Sequence, residues 1–272
     1  MIKSKQSFFC CLVVLFLGSK FLTSQNIRAQ ESPEPSQTPL QSTPTPEVDF
    51  QTYLNTLEKY RTSEQQFGIA KQQYFQLGTL AALEQATQRS LKAQIDRNSV
   101  LDLYFQLLKS RFAQTAGIEL REKKLEIDRM EFILDFLSTQ KASLEKASTY
   151  QQLDKFNAEL KETQESINTV AYETLILKKI GELQTVLDHL TSISAKVYDA
   201  VEKTPEKERG YAEITKTLKE ADTSLNKTIR SYLEEIDSAP SDADIYQEII
   251  EALNDPYMKI KQAFKYLQEL ES

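Results

Sequence analysis

From Glu47 to Thr204 apolar residues recur at three- and four-residue steps between Glu, Gln, Lys, Ser and Asp. That is the pattern of long helices that each bury one face. These 158 residues contain no proline and only four glycines, Gly68, Gly78, Gly117 and Gly181, a helix-forming composition.

A first helix is expected from Val48 or Asp49 towards Thr115. Its first half carries Tyr53, Tyr60, Phe67 and Tyr74 at strict seven-residue spacing, while the companion positions Phe50, Leu57, Glu64 and Lys71 turn polar halfway. Its second half carries a broader stripe through Leu91, Ile95, Leu101, Phe105, Leu108 and Phe112. Asn98-Ser99 with Asp102 resembles a capping box and marks a possible break.

Thr115-Ala116-Gly117 reads as a helix end with Gly117 as a left-handed C-cap. A second helix follows from about Ile118 to Lys146, with Leu120, Ile127, Met130, Leu134, Leu137 and Leu144 on one face. A hairpin centred on Ala116 sets Phe112 beside Leu120, Phe105 beside Ile127 and Leu101 beside Met130. Ser148 with Gln151 opens a third helix, whose stripe runs from Leu153 to Val201.

Thr204-Pro205-Glu206 supplies an N-cap, a first-turn proline and a first-turn acid for a fourth helix. Its stripe, from Tyr211 to Ile236, is the cleanest amphipathic pattern in the chain. Ala239-Pro240-Ser241 ends it, Ser241 with Asp244 caps a fifth, and Asn254-Asp255-Pro256 restarts or kinks that one.

The fold class is therefore all-α, an elongated antiparallel helical bundle or coiled coil of about five helices. Residues 49–180 would form a long hairpin plus the start of the third helix, and 181–272 a C-terminal bundle sharing that helix. The second helix is too short to cover the whole first helix. The first half of helix one must then fold back at Gly68, Gly78 or Asn98, or find a second protein chain.

The N-terminus changes the picture. Residues 1–29 carry Lys3 and Lys5, an apolar run from Phe8 to Leu17 and a polar tail ending at Ala29, as a secretory signal peptide does. A competing reading keeps the segment as an anchor extended through Phe21-Leu22. The ten-residue run is short against the roughly 20 residues that span a bilayer. Residues 30–48 hold five prolines among Ser, Thr and Gln and read as a disordered spacer. An exported product is expected, extracellular, periplasmic or envelope-associated.

The formal charge is −7, and removal of Lys3, Lys5, Lys20 and Arg28 leaves 29 Lys plus Arg against 40 Asp plus Glu, or −11. An acidic chain without a basic block is a poor match for nucleic acid. Both cysteines, Cys10 and Cys11, lie in the apolar run, so the mature part offers no thiol.

His189 is the single histidine and Val186 stands where a di-iron Glu-x-x-His set needs Glu. Carboxylate pairs Glu119/Glu122, Glu234/Glu235 and Asp242/Asp244 read as solvated helix charges. No catalytic, metal or cofactor residues are assigned.

The wager is that Tyr53, Tyr60, Phe67 and Tyr74 form an interaction face for a protein partner or a second copy. Ordinary packing within the chain competes with it. A non-enzymatic helical interaction or structural protein is the leading functional expectation. A helical module binding a small apolar ligand or lipid is the alternative, and membrane contact is expected only through an uncleaved N-terminal segment.

Overall fold

The computed structural model describes residues 49–200, 203–236 and 242–271. The expected signal peptide, the proline-rich spacer and the stop at Ala239-Pro240-Ser241 lie outside these residues. Within them the chain is an all-α antiparallel bundle of seven helical segments. These are α1 (Phe50–Leu77), α2 (Leu80–Gln114), α3 (Leu120–Leu144), α4 (Tyr150–Ala200), α5 (Pro205–Ile236), α6 (Ala243–Ala252) and α7 (Asn254–Glu271).

The expected first helix is two helices. Gly78 adopts φ 63°, a left-handed conformation that closes α1 by donating its N–H to Tyr74 O at 2.9 Å. Thr79 then caps α2, its Oγ1 accepting from Ala82 N at 3.3 Å. Of the three places where the chain could fold back, Gly78 is therefore the one used. Asn98 lies inside α2, its Nδ2 donating across the bundle to Gln140 Oε1 at 3.0 Å.

The α2–α3 hairpin exists, but in a shifted register. Asn98 meets Gln140 and Lys109 meets Glu131 at 3.3 Å, so the hairpin is centred near Glu119 instead of Ala116. The reason is the connection, in which residues 115–119 are not helical. Leu120, expected beside Phe112, is 82% exposed, and the buried face of α3 is Glu126, Met130, Ile133, Leu137, Gln140 and Leu144. Gly117 does take φ 74°, though in the turn, with Thr115 as the C-cap.

Two caps also move by one residue. Thr149 and Gln152 form the box that opens α4, with Gln152 N donating to Thr149 Oγ1 and Ser148 N to Gln152 Oε1. Asp242 caps α6, accepting from Asp244 N and Ile245 N at 3.0 Å. Thr204 and Pro205 open α5 as the sequence indicates.

Fifty-one residues give α4 a length of about 76 Å. It is the spine, packing on α2 and α3 with its first part and on α5, α6 and α7 further along. It runs through Gly181 without a break. The core sits where the helices overlap, with Phe105, Phe112, Met130, Ile133 and Ile176 all at 1% exposure or less.

Candidate functional site

The hairpin of α1 and α2 is the most distinctive part of the surface. Among the described residues, α1 reaches backbone contact range with α2 alone. Small side chains make this possible: Ser63 and Ala70 on α1 and Ala82, Ala86, Ser90 and Ala93 on α2 are all buried. With so little between them, two helices can approach closely enough to shield each other without a third layer. Arg89 Nη1 donates to Gln66 Oε1 at 2.8 Å along the same seam.

The α3–α4 corner marks where the rest of the bundle stops. Leu144, Ala147 and Leu153 pack there against Leu91 and Ile95 of α2. From Leu91 back to Leu80, α2 continues for roughly 16 Å at helical rise. That distal end carries large apolar side chains in the open: Ile69 is 53% exposed, Phe75 72%, Leu77 66% and Leu80 80%.

Charge is scarce there as well. Gln65 to Leu83, 19 residues, hold one charged side chain, Lys71, in a chain that is 27% charged. The Lys71 ammonium lies 6.0 Å from the ring centres of both Phe67 and Phe75, and Tyr74 and Phe75 are 5.9 Å apart.

The four aromatic residues singled out by their spacing divide between two environments. Tyr53 and Tyr60 are buried, Tyr53 packing 6.3 Å from Tyr104 of α2. Phe67 and Tyr74, nearer the apex, are half-buried. The four are not one continuous exposed face. The exposed apolar group at the apex was missed by following the heptad, although the near-absence of charge from Gln65 to Leu83 could have revealed it.

Along the hairpin lies a cleft of about 190 Å³ between Tyr60, Glu64, Phe67, Lys71, Arg97 and Tyr150. Burial pushes the Tyr60 phenol well above its ordinary pKa, and Glu64, which accepts its hydrogen bond, pushes in the same direction. Burial lowers the Arg97 pKa, with Tyr60 and Glu64 opposing it, and Arg97 Nη1 donates to Asn157 Oδ1 at 3.1 Å. Arg97 Nε and Gln94 Oε1 are buried with no hydrogen-bond partner among the described residues. Ligand pockets usually enclose roughly 300–1,000 Å³ with mostly apolar walls. This cleft is smaller, and its wall mixes Phe67, Ala93 and Leu153 with the polar groups named above.

No family model, curated protein or solved structure matches the chain.

A buried charged cluster lies elsewhere, where α3, α4 and α5 meet. Arg129 pairs with Glu126 and with Glu173, and Thr174 Oγ1 donates to Glu126 Oε2 at 3.3 Å. Burial raises the Glu126 pKa, against the pull of Arg129. Burial works to lower the Arg129 pKa, but Glu126 and Glu173 outweigh it and the pKa is raised. Glu126 falls on the helical series with Met130, Ile133 and Leu137, so a charge on an apolar stripe was the signal available. The cluster lies in the helix interface and holds the helices in place.

The carboxylates of Glu119, Glu122, Glu234, Asp242 and Asp244 belong to exposed residues, and His189 is exposed on α4. Among the described residues no group of three or more His, Cys, Asp or Glu could hold a metal ion, and no helix is long and apolar enough to cross a membrane.

Proposed function

We propose that the chain is an exported, non-enzymatic helical interaction protein whose contact surface is the distal end of the α1/α2 hairpin. One observation carries this reading. Near the apex Ile69, Phe75, Leu77 and Leu80 are each exposed, on different sides of a two-helix projection with small-residue packing within it. Scattered apolar residues are normal on a surface, whereas a cluster with one charge in 19 residues marks a place that something else covers. The bundle behind it then serves as a support. Export follows from the residue pattern of 1–29.

A photo-crosslinking amino acid at exposed Gln76, compared with one at exposed Gln268, tests it in the full chain expressed in its native cells. Adducts, whether lipid or protein, should form several-fold more often from position 76. Equal yields from the two positions would refute the reading.

A further inference from the structure

We propose that the cleft along the α1/α2 hairpin binds a small monocarboxylate carrying a compact apolar group, with the carboxylate on Arg97. The proposal stands apart from the apex as a contact surface. Three observations carry it.

The first is a cation without a counter-ion. Arg97 is half-buried, and its Nη1 donates to the neutral amide of Asn157 at 3.1 Å. Its Nε is buried without an acceptor, and among the described residues the guanidinium forms no ion pair. Glu64 attracts it through space, but Glu64 is exposed and accepts a hydrogen bond from Tyr60 instead. Arginines withdrawn from water are ordinarily paired with an anion, because an uncompensated buried charge is costly. A carboxylate supplies acceptors for the N–H groups that Asn157 leaves unused.

The second is the order of chemistry along the cleft. The hydrogen bond between Arg97 and Asn157 sets α2 and α4 level at one end. One helical turn back on each helix stand Ala93 and Leu153, both buried, and Phe67 of α1 lines the same wall. From Arg97 to Ser90 the cleft runs along about 10 Å of α2. A cationic end followed by an apolar wall matches a molecule with a carboxylate at one end and an apolar body at the other. An inorganic anion leaves that wall unused.

The third is size and charge. The cleft measures about 190 Å³, and a cavity of ~150 Å³ is enough to hold benzene. A single ring or short branched chain with a carboxylate therefore fits, and a lipid acyl chain does not. Lys71 and Arg97 are balanced by Glu64 and Asp154 in the lining, so a multiply charged anion gains no net attraction. One half-buried guanidinium matches one negative charge.

Isothermal titration calorimetry on the full chain with benzoate, benzamide and inorganic phosphate tests the proposal. Benzamide keeps the shape of benzoate and removes its charge. Benzoate should bind in the millimolar range, benzamide about tenfold more weakly for want of charge-assisted hydrogen bonds, and phosphate more weakly than benzoate. Tyr150→Trp places the only tryptophan of the chain at the cleft, at a position 52% exposed, and its emission should change as benzoate is added. Arg97→Met removes the charge and should lower benzoate affinity about tenfold.

Equal binding of benzoate and benzamide overturns the proposal, as does phosphate binding at least as tightly as benzoate. Unchanged emission at position 150, or unchanged benzoate affinity in Arg97→Met, does the same. If neither benzoate nor benzamide binds, the cleft holds water only and the proposal falls. Should Arg97→Met fail to fold, the comparison of benzoate with benzamide in the native chain and the emission of Tyr150→Trp decide. Each of these outcomes leaves crosslinking from Gln76 unaffected, so the two readings fail separately.

Discussion

Gly117 and Gly181 meet backbone to backbone where the α2–α3 turn rests on the middle of α4. A Cβ on Gly181 would lie 2.6 Å from Ala116 O, and one on Gly117 would run into Gly181 O. Gly181 is helical, a setting in which alanine is ordinarily preferred by about 1 kcal/mol. Here the obstacle is backbone, which cannot give way as a flexible side chain does. Gly181→Ala should therefore destabilise by about 2 kcal/mol, through overpacking. Gly68 is also helical and has nothing within 4 Å of its Cβ position, so Gly68→Ala should stabilise by about 0.5–1 kcal/mol. Chemical denaturation of the two variants checks the opposite signs.

The division among the hairpin aromatics gives a second pair of variants. Tyr60 is 7% exposed and packed at the base of the hairpin, so Tyr60→Ser should cost about 3 kcal/mol, as loss of a buried aromatic ring does. Phe75 is 72% exposed, and Phe75→Ser should change stability by less than about 0.5 kcal/mol. Equal losses in thermal melts would mean that the apex is packed in solution and not open.

The sequence made some of these relationships legible and left others hidden, for physical reasons. Thr204-Pro205 and the stripe of α5 are local signals, and the structure follows them. Gly68, Gly78 and Asn98 were equal candidates for the fold-back because a missing partner for helix one says only that the helix must turn. What distinguishes Gly78 is the following Thr79, so that a left-handed stop is joined directly to a new N-cap. Asn98-Ser99-Asp102 has the form of a cap, but the side chain of Asn98 is used across the bundle instead.

Register was harder to read. A hairpin with apolar positions every three or four residues can slide by one step and still place apolar beside apolar. Buried polar contacts such as Asn98–Gln140 penalise the wrong register, and they join residues far apart in sequence. The same holds for the aromatic series, since seven-residue spacing identifies a seam without saying where along it the cover ends. From Tyr60 to Lys71 the α4 side chains of Tyr150 and Asn157 stand in the same cleft as the seam, and Tyr74 lies outside that cleft.

The Asn98–Gln140 contact itself can be tested. Asn98 is 1% exposed and Gln140 5%, and Gln140 Nε2 also donates to Phe156 O at 3.1 Å, tying α2, α3 and the start of α4 together. Asn98→Ala leaves the Gln140 oxygen without that donor and should cost about 1–3 kcal/mol. Gln140→Ala should cost a similar amount, and the double variant less than the two together. Full additivity in denaturant titrations would show that the two side chains do not act as a pair.

The cluster around Arg129 gives a pH dependence with a definite sign. Burial raises the Glu126 pKa above its unfolded value, near 4.3 for a free glutamate. Its contribution to stability is then fully present below that value and is lost as pH rises through the raised one. Glu126→Gln keeps an oxygen for Arg129 and removes the titration, so its melting temperature relative to the native chain should improve between pH 4 and pH 7. Arg129→Met does the reverse. At neutral pH it leaves Glu126 and Glu173, both under 10% exposed, without their shared cation. The cost should be about 3 kcal/mol, at the low end for breaking a buried pair because Arg129 is itself about one-third exposed. That penalty should shrink as acid protonates Glu126. Thermal melts of the two variants across this range should therefore diverge most at neutral pH, and parallel curves would remove the charge explanation for the cluster.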